Sequence, residues 1–375
     1  MALLFRINPI MIKFAIEILK STTTMKNIIL TLLVLSTIVA CTQSTSDKEG
    51  EGESAKEESK EVNVYTHRHY ESDQQLFKEF EEKTGIKVNV VSANADELIQ
   101  KMKLEGENSP ADVLITVDAG RLHRAKDAGL LQSVESETLN STIPSNLRDV
   151  DNQWFGLTIR GRVIVYNPEK ISGEKISTYE SLASPEIKDR LLIRSSSNIY
   201  NQSLMASIIA HNGEEAASAW ANGIVDNMAR DPKGGDRDQI KAVYAGEGDV
   251  AVSNTYYLGK MLNSSSEEEV KVAKAVKILF PNQDGRGTHI NVSGAGVARY
   301  APNQENAVKF IEFLVSEESQ KVFAGVNYEY PVNAKVEWAP TLKEWGEFKQ
   351  DTLNLSVLGE NNDLAVKTFD RAGWK

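Results

Sequence analysis

The chain has one cysteine, Cys41, in 375 residues, so an internal disulfide and a cysteine-rich metal cluster are both excluded. Positive charge is short as well, with 42 Lys and Arg against 53 Asp and Glu. Nucleic-acid binding calls for a basic face, so no nucleic-acid partner is expected. No G-x-S-x-G, H-E-x-x-H or P-loop occurs, and Gly294-Ala295-Gly296 lacks the third glycine of a dinucleotide loop. The acids are too many for any one pair to stand out by spacing, so no enzyme is expected. The apolar run Ile28–Val39 is too short for a comfortable membrane span. No internal repeat is present.

That apolar run has a different use. From Met25 the chain reads MKNIILTLLVLSTIVAC, a charged start followed by an apolar core and then small residues before Cys41. Ile38-Val39-Ala40-Cys41 resembles the lipobox of bacterial lipoproteins, whose cysteine is lipidated after cleavage. Residues 1–40 are therefore expected to be a signal region with its start at Met25, and Cys41 the lipidated residue. Residues 41–61 carry many charges and no large apolar side chain, the composition of a flexible acidic tether. The expected location is the periplasm or cell surface, held to the membrane through the lipid.

Beyond the tether, strand and helix patterns alternate: VNVYT (62–66), a helix stopping at Gly85, IKVNVV (86–91), a helix through Leu98, Ile99 and Met102, then DVLIT (112–116). This alternation predicts a parallel α/β sheet. WFGLTIRGRVIVYNP (154–168) is long enough to cross from one lobe to another. A second α/β region follows, with RLLIR (190–194), helices around 204–209 and 216–228, and the strand VAVS ahead of a helix near Tyr256. VKILF and THINVSGAGV return through a Gly-rich turn. NQENAVKFIEFLVSEESQKVFA predicts one amphipathic helix with Val308, Ile311, Phe313 and Leu314 toward the core. Two lobes joined by crossing strands make a hinge and a cleft.

Aromatic residues are only 7% of the chain, which makes the adjacent pair Tyr256-Tyr257 conspicuous. Tyr70 and Tyr200 stand in similarly polar surroundings, each after a strand and ahead of a helix, and His69 precedes Tyr70. Asn254 or Thr255 is placed to cap the helix of the pair. Ligands of open α/β sheets bind beyond the carboxyl ends of strands, where these three loops fall. Ferric iron is a hard cation that prefers anionic oxygen, and phenols with an ordinary pKa of about 10 lose their protons to a bound metal. Four phenolates around Fe(III) leave a charge of −1, and Arg68, Arg160, Arg162 and Lys260 lie near these loops as counter-charges. His67 is an alternative to His69, since both point the same way from an extended segment. The remaining tyrosines read as packing or surface residues.

Over residues 62–375 the chain resembles the ferric-iron-binding proteins of bacterial ABC transporters. The resemblance is carried by RHY (68–70), SPADVL (109–114), RSSSNIYNQSL (194–204), NTYYLG (254–259) and FPNQDGRGTHINVSG (280–294). It implies a two-lobed periplasmic-binding-protein fold of type II, with lobe one from 62–161 plus 286–336 and lobe two from 162–285 plus 337–375. It implies the tyrosine-rich, anion-independent subclass, with His69, Tyr70, Tyr200, Tyr256 and Tyr257 as ligands of Fe(III), and a receptor that hands iron to an ABC permease; a monomer is expected. Arg68, Arg160 and Lys260 fall around that ligand set, Lys260 standing where relatives often carry arginine. The competing reading keeps the fold and makes the tyrosines an aromatic box for an organic cation such as a polyamine. Arg68, Asn254 and Lys260 beside them, rather than acids, count against it.

Overall fold

The computed structural model describes residues 60–68 and 70–375. The signal region, Cys41, nearly all of the tether, and His69 lie outside the described residues. No helix among the described residues is long and apolar enough to cross a membrane.

The chain opens with β1 (Glu61–Thr66), α1 (Glu71–Thr84), β2 (Lys87–Ser92), α2 (Ala95–Glu105), β3 (Val113–Val117), α3 (Ala119–Asp127) and α4 (Glu137–Thr142). Next comes β4 (Phe155–Tyr166), followed by β5 (Leu191–Leu192), α5 (Ile199–Asn227), α6 (Asp236–Ala245), β6 (Val250–Asn254), α7 (Thr255–Leu262), α8 (Glu267–Ala275) and β7 (Lys277–Leu279). The last third holds β8 (Ile290–Val297), α9 (Gln304–Leu314), α10 (Glu317–Asn327), β9 (Tyr330–Pro331), α11 (Pro340–Glu344), α12 (Ser356–Glu360) and α13 (Asn362–Ala372).

The strands run in the order β2-β1-β3-β8-β4-β6-β5, with β7 and β9 also pairing to β4. β4 belongs to both halves: its first part, from Phe155 to Gly161, pairs with β8, and its second, from Arg162 to Tyr166, pairs with β6. All twelve of its residues are buried except the last, which is half-buried, as a strand with both faces covered requires. The sheet is mixed where the alternation suggested parallel. β1 runs parallel to β2 and β3, but β8 and the whole of β4 run antiparallel to their neighbours. The reason is topological: β8 returns from the far half through the Gly-rich turn and so enters beside β3 in the opposite sense. A side chain at Gly294 in β8 would meet Leu122 Cδ1 and Phe155 O at 2.6 Å, so the glycines of GAG serve close packing of strand and helix.

Three other elements differ from the sequence pattern. The single helix expected over 303–324 is two, because Ser316 adopts an extended conformation (φ −61, ψ 155) and its side chain caps α10 by accepting from Ser319 N. The buried face of α9 is Ala307, Phe310, Ile311 and Leu314, while Val308 and Phe313 are half-buried. Phe310 packs against Phe80 and Phe77 of α1 with ring centroids 5.0 and 5.3 Å apart. RLLIR contributes only the two residues of β5. In α5, Gly213 (φ 80, ψ 167) breaks the helix between its two expected segments.

Candidate functional site

Each of the four tyrosines stands where a strand hands over to a helix. Tyr70 is the extended N-cap residue of α1, after β1 ends at Thr66. Tyr200 is the second residue of α5, and its N–H donates to Asn198 Oδ1 (3.2 Å). Tyr256 and Tyr257 lie in the first turn of α7, directly after β6. Asn254 occupies the cap position without making a side-chain cap bond, which corrects its expected role. Its Oδ1 accepts instead from Arg162 Nη1 (3.1 Å).

Arg162 explains why two of these loops meet. It is buried on β4, and its guanidinium donates to both oxygens of Asp236 at the start of α6 (3.1 Å each). It also donates to Asn254 Oδ1 at the end of β6 and to Asn201 Oδ1 in the first turn of α5 (2.8 Å). One planar fork thus ties together three helix starts, two of which carry the tyrosines. Tyr256 Oη donates to Tyr200 Oη at 3.3 Å, and the rings of Tyr256 and Tyr257 lie 4.2 Å apart. Neighbouring helical residues do not normally face each other, yet these two rings meet, tilted by 34°.

The other wall is built on Glu329, which the sequence reading missed. Glu329 is 1% exposed and accepts from Arg160 Nη2 (2.9 Å) and, more loosely, from Arg68 Nη2 (3.4 Å). Arg68 also grips Asp73 through Nη2 (2.9 Å) and Nε (3.0 Å). Its guanidinium carbon stands 4.9 Å from the Tyr70 ring centroid, and Arg160 stands 5.5 Å from that of Tyr256. Arg160 also donates to Ser293. Its Nε and Nη1 make no hydrogen bond among the described residues. Lys260, from α7, places Nζ 4.2 Å from the Tyr70 ring centroid, a cation–π contact that joins the two walls. The isolated acid in Tyr328-Glu329-Tyr330 carries no spacing signal, so only the fold reveals it.

The electrostatics follow from burial. Burial raises the Tyr70 pKa to about 12, with Glu329 adding to the rise while Arg160 and Arg68 oppose it. Burial also lifts Tyr256 well above the ordinary phenol range, helped by the neighbouring phenols of Tyr200, Tyr70 and Tyr257 and opposed by Arg160. Tyr257 is raised by burial, then by Tyr200 and Asp236. These are the shifts of phenols crowded together out of water, each resisting ionisation until a cation arrives. Burial works against the charge on Glu329, but Arg68 and Arg160 outweigh it and its pKa is lowered. Lys260 is lowered, by burial first.

Glu329→Ala leaves two buried guanidinium groups short of their shared acid, and a loss of about 3–5 kcal/mol in folding stability is expected. Urea unfolding of the metal-free protein measures it, with Glu329→Gln expected to lose less. An unchanged midpoint for Glu329→Ala would show that the network contributes nothing to stability.

Residues 108–351 match the family described as bacterial extracellular solute-binding protein. The chain is 52% identical over 318 residues to iron uptake protein A1 of Synechocystis, covering 85% of this chain and 88% of that protein. It is 53% identical to a Trichodesmium protein solved in complex with iron and citrate, with a TM-score of 0.82 over 84% of this chain and all of that one. The ferric binding protein from Campylobacter jejuni is 47% identical at a TM-score of 0.80, again over 84% of this chain and all of that one. The chain belongs to the bacterial extracellular solute-binding proteins, with the two-lobed type II fold of their ferric-binding members, and is a receptor rather than an enzyme.

Proposed function

We propose that this protein is an extracytoplasmic receptor for ferric iron, held to the membrane through Cys41, that delivers the metal to an ABC-type importer. The observation that carries the reading is the convergence of Tyr70, Tyr200, Tyr256 and Tyr257 inside a ring of cations. Those four phenols, with His69, are the ligands. Residues 62–161 plus 286–336 form one lobe and 162–285 plus 337–375 the other, closing about β4. Tyr70 and His69 come from the first lobe and the other three tyrosines from the second. Four phenolates around Fe(III) form an anionic centre, and Arg68, Arg160 and Lys260 offset it. The buried donors left on Arg160 suit an anion sharing the metal, a departure from the anion-independent expectation. The relatives named for iron support the same cargo.

The polyamine reading requires carboxylates facing the ligand. Here Asp73, Glu329 and Asp236 are each bound by arginine, so no acid of this ring is left for an organic cation. Titration with ferric citrate is expected to produce a visible phenolate-to-iron charge-transfer band that saturates at one metal per chain, while polyamines give no binding heat. A colourless protein under saturating iron would overturn the assignment.

A further inference from the structure

The helix that carries Tyr256 and Tyr257 touches the opposite wall at a place with no room for a side chain. Gly259 lies buried in α7. A Cβ there would stand 2.7 Å from Tyr328 Cβ and 3.0 Å from its Cγ, with Trp345 Cη2 at 3.5 Å. Ordinary carbon contacts begin near 3.5 Å, so an added methyl forces the two walls apart by roughly 1 Å. The partner is itself unusual. Tyr328 caps α10 in a left-handed conformation (φ 56, ψ 38), which residues other than glycine rarely adopt. A helix interior disfavours glycine, and a left-handed cap disfavours tyrosine. Both penalties fall on one contact.

The neighbours of that contact give it a role. The residue after Gly259 is Lys260, which lies over the Tyr70 ring, and the residue after Tyr328 is Glu329, which binds Arg68 and Arg160. The seat of Tyr328 on Gly259 therefore lies beside the contacts that join α7 to the Tyr70 wall.

We propose that Gly259 and Tyr328 form a steric stop that sets how closely α7 approaches the Arg68–Glu329 wall, and so whether Tyr256 and Tyr257 reach the metal held by Tyr70. Both are positioning residues, since neither presents a ligand atom. The inference rests on the ferric-iron reading for its metal readout and on geometry alone for its shape readout.

Gly259→Ala is expected to keep the far-ultraviolet circular dichroism of the parent, to lose about tenfold or more in iron affinity, and to shift or weaken the charge-transfer band. Its radius of gyration by small-angle scattering should exceed the parent's. Tyr328→Gly alone, which relaxes the left-handed cap but takes away one face of the stop, should shift the band and lower the affinity, though less than Gly259→Ala does. Combined with Gly259→Ala, it frees the space that the added methyl needs, so both band and radius should return toward parental values. A Gly259→Ala protein with parental affinity and radius overturns the proposal, as does a double variant no better than the single. Absence of the band in the parent overturns the iron reading instead, and scattering, which needs no metal, still decides the stop.

Discussion

Replacing Tyr256 and Tyr257 together by phenylalanine is expected to abolish the charge-transfer band and to lower ferric-iron affinity by several powers of ten. The size follows from what is removed. Each phenolate supplies an anionic oxygen to a trivalent cation in a buried setting, where charge interactions are several-fold stronger than in water. Phenylalanine keeps the ring contact at 4.2 Å and the packing under α7, so the loss is confined to two oxygens. Stability of the metal-free protein should change little, because the bond that Tyr256 Oη gives up to Tyr200 is a long one, at 3.3 Å. The single variants should fall between, with a weakened and displaced band. Competition against citrate, followed by absorption, gives the affinities. A double variant that still turns coloured with iron would remove the pair from the ligand set.

The second large effect is on pH. Tyr70 has its pKa raised to about 12, and Tyr256 and Tyr257 are raised too, so in the metal-free protein these phenols are protonated throughout the physiological range. A phenol that binds the metal must give up its proton, so loading releases one proton per phenolate formed, and so at least three from Tyr70, Tyr256 and Tyr257. The sign is fixed: affinity rises with pH and falls as acid is added. With three protons released, one pH unit downward lowers the affinity by about 10³-fold before any change in the competing chelator is subtracted. Mildly acidic surroundings therefore favour release. Proton uptake or release during loading can be read with an indicator dye in weak buffer. Loading that is independent of pH between about 6 and 8 would show that the phenols do not ionise on binding.

Much of the scaffold was legible because local patterns agreed with it. β1, β2, β3 and β6 fall within a residue or two of their alternating segments, and Gly85 ends α1 in the left-handed conformation expected of it. Where expectations failed, a long-range or capping effect won. The helix over 303–324 is divided because the Ser316 side chain offers the backbone a better partner than helix continuation. Asn254 is at the cap position, but the buried Arg162 claims its side-chain oxygen. The antiparallel entry of β8 depends on its return from the other half of the molecule, which no local pattern encodes.

The sequence by itself determined the chemistry on offer: a lone cysteine, a shortage of cations, and tyrosines at three strand-to-helix junctions, which is where an α/β sheet presents ligand groups. Only the tertiary structure decided how those groups stand to one another. The rings of two adjacent helical residues meet at 4.2 Å, and Arg162 draws the starts of α5, α6 and α7 together through one guanidinium. Glu329, with no signal in its own neighbourhood, becomes the acid on which the opposite wall depends. Residue type fixes what an atom can bind, whereas burial and distance across sequence-remote segments fix what it meets.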